Sequence, residues 1–324
     1  MIDGRAVTLQ DIYAARGRLR EHLLPTPLRE SAWLSGVADA RTLLKLESVQ
    51  LTNSFKIRGA MNAAVRLAQT ARPPAIVTAS AGNHGRAIAL AAERFGLTAV
   101  VFTPANAPAI KKAAIRRHGA VLRDEPSDYD TAERLAREFA SREDAIFISA
   151  YNHPDVIAGA GTIALEILEA MPDVETIVVP VGGGGLASGV GVAIKSAAPH
   201  VTVVGVEVTA SRPFAVGLAR GAITRIDVSP SLADGLVGNL EPGSMTFDIV
   251  RQRVDALVSA GEEDLRRAIR GLAAEDHVIA EGAGAAATAA VLSGHAVRPG
   301  QRAVVVVSGS NIDLGLLSEI LSER

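Results

Sequence analysis

The chain has 324 residues, enough for one large α/β domain or two unequal ones. Its 33 basic and 35 acidic residues nearly cancel, and no basic cluster interleaves with aromatics, so nucleic acid is not expected as a partner. The absence of cysteine removes disulfides, thiolate chemistry and cysteine-based metal sites together, and agrees with a reducing cytosol.

Met1-Ile2-Asp3-Gly4-Arg5 carries no apolar signal core, and no apolar run reaches the roughly 18 residues of a membrane span. A cytoplasmic protein with no membrane partner is expected. Thr8 to Leu24 is charged and amphipathic and predicts a helix, stopped by Pro25-Thr26-Pro27. Thr42 to Glu47 predicts a short strand that leads into Asn53-Ser54-Phe55-Lys56-Ile57-Arg58-Gly59-Ala60, with a helix from near Ile57 towards Ala68. A helix N-terminus carries partial positive charge and favours anions, so a lysine there is locally the wrong charge. The same place suits an amine that must lose its proton and react, because desolvation and nearby positive potential lower its pKa. A plain surface lysine is the alternative on this stretch alone.

Strand and helix patterns then alternate. Strands are predicted at 75–78, 99–102, 120–122 and 145–148, and helices after Asn83 and at 109–117, 128–139 and 157–170. Longer apolar strands follow at 176–181, 201–208 and 303–307. Continuous β-branched runs suit a sheet covered on both faces, and a core of Ala, Val, Gly and Leu suits helices packed closely on it. The fold class expected is α/β with doubly wound parallel sheets. Residues 71–149 are expected to form a small βα domain inserted into a larger one made of 1–70 and 150–324.

Ligands in such sheets collect at the carboxyl ends of the strands, and the informative turns all sit there. Gly182-Gly183-Gly184-Gly185-Leu186 follows a strand and opens a helix. Successive N–H groups can converge without side-chain obstruction, and the helix dipole adds to their field, as a phosphate site requires. The turn is neither a Walker A motif nor GxGxxG. Thr78-Ala79-Ser80-Ala81-Gly82-Asn83-His84-Gly85 combines a hydroxyl, an amide and free N–H groups, a receptor for a substrate carboxylate; Ser80 or Asn83 could equally cap the helix. His84 is either a base or a prop for the loop. Ser308 ends the last strand, where its hydroxyl could meet a heterocyclic nitrogen or cap the final helix. Glu281 reads as a cap with no further role.

Taken together, Ser54 to Ala60, Ser80 to His84, Ile157-Ala158-Gly159, Gly182 to Leu186, Ala233-Asp234-Gly235, Glu281 with Gly284, and Ser308-Gly309 resemble the fold-type-II pyridoxal-phosphate enzymes. Within them the set is similar to the serine/threonine dehydratase and serine racemase group, in family order over nearly the whole length. The resemblance implies a two-domain fold like that of the tryptophan synthase β chain. It implies that Lys56 holds pyridoxal 5′-phosphate covalently with Phe55 beside the ring, and that Asn83 bonds the cofactor's 3′-oxygen. Gly182, Gly183, Gly184, Gly185 and Leu186 would cradle the phosphate and Ser308 would meet the pyridine nitrogen. Ser80, Ala81, Asn83 and His84 would receive the substrate. The implied reaction is β-elimination from a 3-hydroxy amino acid, L-threonine or L-serine, to a 2-keto acid and ammonia, in a homo-oligomer (dimer or tetramer).

Some residues depart from the family pattern. Relatives that racemise serine carry a second serine where Ala81 stands, which favours dehydration here. Glu207 matches one of their two metal ligands, but Pro213 occupies the second place, so no metal is expected. Asn53, Arg86 and Ala160 replace usual residues and leave the substrate open. A dehydratase of the hydroxyectoine-utilisation type or one acting on 3-hydroxyaspartate is the alternative, and at this length no C-terminal regulatory domain is expected. A non-catalytic phosphate-ligand module is the reading from a different class; it has no use for Lys56.

Overall fold

The computed structural model describes residues 6–70 and 72–323; the N-terminal stretch 1–5 discussed above lies outside them. Ten strands form two sheets among the described residues. In chain order they are β1 (Leu28–Glu30), β2 (Arg41–Leu46), β3 (Ile76–Ala79), β4 (Ala99–Phe102), β5 (Val121–Arg123), β6 (Ile146–Phe147), β7 (Thr176–Pro180), β8 (Thr202–Val208), β9 (Ala256–Ala260) and β10 (Arg302–Val307). One sheet has the order β1-β2-β10-β7-β8-β9 and the other β5-β4-β3-β6. All neighbours are parallel except β1, which runs antiparallel to β2. β1 and β9, each with polar or exposed positions, carry no long apolar run, and for that reason the hydropathy pattern did not announce them.

The register places β10 at the centre of the larger sheet, Val307 beside Leu46 and Val305 beside Val178. Val304 to Val307 have no exposed surface, and burying each stabilises the fold by roughly 1.5 kcal/mol or more. Helices cover both faces. The first helix, Leu9–Leu19, ends five residues short of its predicted stop at Leu24, before any proline. The helix predicted from Ile157 begins a turn earlier, at Pro154, with His153 as its N-cap and proline at its first position.

Three helices close on one another through glycine. The Lys56–Thr70 helix lies against the Pro154–Ala170 helix so tightly that a Cβ on Gly159 would sit 2.5 Å from the Arg58 carbonyl oxygen. A Cβ on Gly59 would meet the Val156 backbone at 2.8 Å. The Gly185–Ala197 helix approaches as closely on the other side, where a Cβ on Gly189 would meet the Ile157 carbonyl at 2.4 Å. Two of the motif glycines, Gly59 and Gly159, are thus packing glycines that bring the Lys56 helix against its neighbour.

A buried charge cluster fixes the same helix. Arg58 is 2% exposed and gives Nε to Glu47 at 2.7 Å and Nη1 to Glu166 at 2.6 Å; Lys45 also reaches Glu166, at 2.5 Å. Two cations face two carboxylates, with the Thr26 hydroxyl donating to Glu47 and Thr162 accepting from Arg58. Buried ions are tolerated only when paired and hydrogen-bonded in this way. The cluster ties β2 and two helices to one another just behind Lys56.

Candidate active site

A cleft of about 1300 Å³ opens between the two sheets, at the carboxyl ends of β3, β7 and β10. It brings together the Lys56 turn, the 80–84 turn, the glycine turn, Glu281 and Ser308.

Lys56 is the first residue of its helix. Its Nζ donates to the Ala150 carbonyl at 2.9 Å and lies 5.1 Å from the centre of the Phe55 ring. Burial pulls its pKa down to about 8, while the Glu281 carboxylate pulls the other way. Of the two causes expected, desolvation acts here and positive potential does not, since the charged group at hand is an anion. The turn is pinned to the end of β10, because Phe55 N–H donates to the Ser308 carbonyl at 3.0 Å and Ser54 bridges Gly309.

The glycine turn leaves β7 and enters a helix through Gly184 at φ +85°. A Cβ on Gly183 would lie 2.2 Å from the Tyr151 ring, and one on Gly184 2.5 Å from Phe214. Gly182 and Gly185 would each meet protein at 3.0 Å, at Leu236 and Tyr151. None of the N–H groups from Gly182 to Leu186 has an acceptor among the described residues. A row of orphan donors at the positive end of a helix fits a phosphate group.

Ser308 is buried at the end of β10, and its Oγ makes only a long bond, 3.3 Å, to the Ala283 carbonyl. It does not cap the final helix, which Asp313 caps. Its neutral hydroxyl is free for a better acceptor, such as a ring nitrogen. The donor set of glycine turn, amine and hydroxyl therefore fits pyridoxal 5′-phosphate.

The 80–84 turn is built differently from the capping alternative. Ser80 Oγ accepts from Gly82 N–H at 3.2 Å, and the helix begins after Gly82 with no side-chain cap. Ala81 presents a methyl group to the cleft. Asn83 Nδ2 donates to Glu281 Oε1 at 2.6 Å, while its Oδ1 accepts from Asn311 Nδ2 at 2.6 Å. One Nδ2 hydrogen of Asn83 is left for a ligand. Glu281 thus departs from its reading as a cap, since its carboxylate caps nothing and faces the cleft. Burial raises its pKa to about 7 against the hydrogen bond from Asn83.

His84 is buried, with Nε2 3.3 Å from the Ile148 carbonyl; a carbonyl only accepts, so Nε2 carries the proton. Burial first, and the Lys56 charge second, hold its pKa down to about 3. The ring is held neutral and bonded to the backbone, as a prop for the loop requires. Glu207 is likewise accounted for: its two oxygens accept from Phe214 N–H at 2.8 Å and Ala215 N–H at 2.9 Å, at the start of the Pro213–Arg220 helix.

Three site residues were given no role by the sequence pattern. Tyr151 backs the glycine turn and accepts from Glu241 N–H at 2.7 Å, Asn311 holds Asn83, and Glu241 receives Arg137 at 2.7 Å. Tyr151 follows β6 as the other turns follow their strands, the one signal that could have found it.

Comparison with known proteins agrees with this site. The family model described as pyridoxal-phosphate dependent enzyme matches residues 19–309. The chain therefore belongs to that family, and its cofactor is pyridoxal 5′-phosphate. It is 43% identical to an L-threonine ammonia-lyase of Thermotoga maritima, over 98% of this chain and 79% of that protein. It is 37% identical to the catabolic L-threonine dehydratase of Escherichia coli K12, over 97% of this chain and 96% of the other. Among solved structures, a threonine deaminase from T.th. superposes with a TM-score of 0.88 at 36% identity, covering 95% of this chain and 99% of that one. Maize serine racemase does so at 0.89 and 30% identity, covering 97% of each. The α/β fold with parallel sheets is the one these enzymes share.

Proposed function

We propose that this enzyme is a lyase that converts a 3-hydroxy amino acid, L-threonine or L-serine, into a 2-keto acid and ammonia. The observation that carries the reading is the partly buried Lys56 amine, its pKa drawn to about 8, in one cleft with the glycine turn and Ser308. The relatives named for threonine dehydration support the choice of substrate.

Lys56 would hold the cofactor, Gly182 to Leu186 its phosphate, Ser308 its ring nitrogen, and Asn83 its 3′-oxygen; Phe55 would flank the ring. Pyridoxal 5′-phosphate, when bound, supplies a ring that stabilises negative charge at the substrate α-carbon. The Ser80–Asn83 turn, with Ala81 and His84, receives the α-carboxylate. Lys56, set free as a neutral amine when the substrate takes its place, would accept the α-proton; a group with a pKa near the working pH does this best. The Cβ–O bond breaks and the hydroxyl leaves as water, with a proton from an acid of the cleft. Lys56, by then an ammonium, and Glu281 are both such acids. The unsaturated amine so released hydrolyses to the keto acid and ammonia. Ser308 offers a neutral hydroxyl where a carboxylate would hold a ring nitrogen protonated, which favours loss of the leaving group over transamination. Ala81 has no hydroxyl to return a proton from the opposite face, which favours elimination over racemisation.

The same reading divides the chain into a large part, 1–70 with 150–324, and a small part, 71–149; the strands of the four-stranded sheet, all within 76–147, support this. It also includes a cytoplasmic homo-oligomer, dimer or tetramer. The exposed Leu24, Val49 and Leu51 support the assembly.

The test is keto-acid release from L-threonine and L-serine by wild type and Lys56→Ala. Wild type should turn over both, and Lys56→Ala should stay folded, lose turnover and lose cofactor trapped by borohydride. Turnover of wild-type order in Lys56→Ala would overturn the reading.

A further inference from the structure

Six cationic side chains line the cleft: Lys56, Arg86, Lys111, Arg134, Arg137 and Arg225. Four of them face carboxylates. Lys111 meets Asp234, Arg134 meets Glu138, Arg137 meets Glu133 and Glu241, and Arg225 meets Asp130. Lys56 is bonded to Ala150 and drawn on by Glu281. Arg86 alone of the six has no anionic partner among the described residues. Its one hydrogen bond runs from Nη1 to Asn311 Oδ1 at 2.8 Å, which leaves Nε and Nη2 unused.

Apart from the Asn311 oxygen, the surroundings of Arg86 work against a bare cation. It lies in the first turn of its helix, at the positive end of the dipole. Partial burial, and then repulsion from Arg117, push its pKa down. A guanidinium kept in such a place without a counter-charge is stabilised when a ligand brings one.

Its neighbours say which part of a ligand that is. Arg86 is three residues on from Asn83, so both side chains share a helix face, and both are bonded to Asn311. The 80–83 turn is already assigned to the α-carboxylate, so an anion at Arg86 is a second one. Threonine and serine carry no such group.

We propose that Arg86 is a specificity residue that receives a second carboxylate on the substrate side chain, so that the enzyme also takes dicarboxylic 3-hydroxy amino acids of the 3-hydroxyaspartate type. The inference rests on the elimination reading above. The same bonds break as with threonine, and the products are oxaloacetate and ammonia.

L-Aspartate and L-2-aminobutyrate lack the β-hydroxyl, so neither can eliminate, and their binding to holoenzyme is read by calorimetry without turnover. Aspartate should bind wild type more tightly than 2-aminobutyrate. Arg86→Gln should weaken aspartate about ten- to a hundredfold, as loss of charge-assisted hydrogen bonds does, and leave 2-aminobutyrate nearly unchanged. Arg86→Lys, which keeps the charge, should recover part of the loss. In parallel, keto-acid release from 3-hydroxyaspartate should fall in Arg86→Gln relative to release from L-threonine. Equal weakening of both ligands would overturn the proposal and show that Arg86 only steadies Asn83 through Asn311. Absence of any aspartate preference in wild type would overturn it as well. Arg86-dependent aspartate binding, with no turnover of L-threonine, L-serine or 3-hydroxyaspartate, would sink the elimination reading and leave Arg86 as the second-carboxylate site.

Discussion

Asn83 Nδ2 lies 2.6 Å from Glu281 Oε1, a contact that joins two residues 198 apart in the chain across the cleft. It holds a carboxylate, with a pKa raised to about 7, where it acts on Lys56. Glu281 raises the Lys56 pKa, so removing its charge should lower it.

Cofactor uptake by the apoenzyme tests that sign. Only the neutral amine reacts, so the rate of pyridoxal 5′-phosphate uptake, followed by absorbance, should rise with pH through about 8 in wild type. In Glu281→Gln the rise should move to lower pH. An unmoved or upward-moved midpoint would show that Glu281 does not govern the amine.

The Tyr151 ring leaves no room for a side chain at position 183. Gly183→Ala should force the turn to shift, at the roughly 1–3 kcal/mol typical of overpacking, and weaken cofactor affinity about tenfold or more. Gly183→Ala combined with Tyr151→Ala should recover part of that loss in an equilibrium titration. A double variant no better than Gly183→Ala would place the damage elsewhere than at the ring.

Behind the site, Arg58→Ala leaves Glu47 and Glu166 buried without their principal cation. Breaking a buried pair from one side costs about 3–5 kcal/mol, which urea denaturation should register. A loss below about 1 kcal/mol would mean that water reaches the cluster.

Glu207 predicts a pH dependence of stability. Burial raises its folded pKa to about 7 from an ordinary 4.5, so the folded state holds its proton more tightly than the unfolded chain. That contribution is full below pH 4.5 and is lost as pH rises through 7. The thermal midpoint of wild type should therefore fall more steeply between pH 4.5 and 7 than that of Glu207→Gln. Parallel curves would show that Glu207 is ionised throughout.

Much of the fold was legible because its strands are continuous apolar runs. β4, β7, β8 and β10 appear where the sequence placed them, within a residue at each end. Boundaries set by polar or mixed segments were not legible in this way: β1 and β9 went unseen, and the first helix stopped early. Propensity and periodicity are local quantities, whereas these edges depend on what packs beside them.

The glycine turn, the reactive lysine and Ser308 could be read from sequence because each lies in a local pattern at the end of a strand, and a pattern of that kind survives without knowledge of its neighbours. The states of the side chains could not be read, because they depend on contacts between distant segments. Glu281 looked like a cap until the fold set it against Asn83, and only the fold buries His84 as a neutral ring against the Ile148 carbonyl. Arg86 was only a departure from pattern until every other cation of the cleft had found its partner. Local sequence determined which groups stand at the strand ends; desolvation and long-range pairing, which exist only in the folded chain, decided which of them are charged, which are spent and which are free.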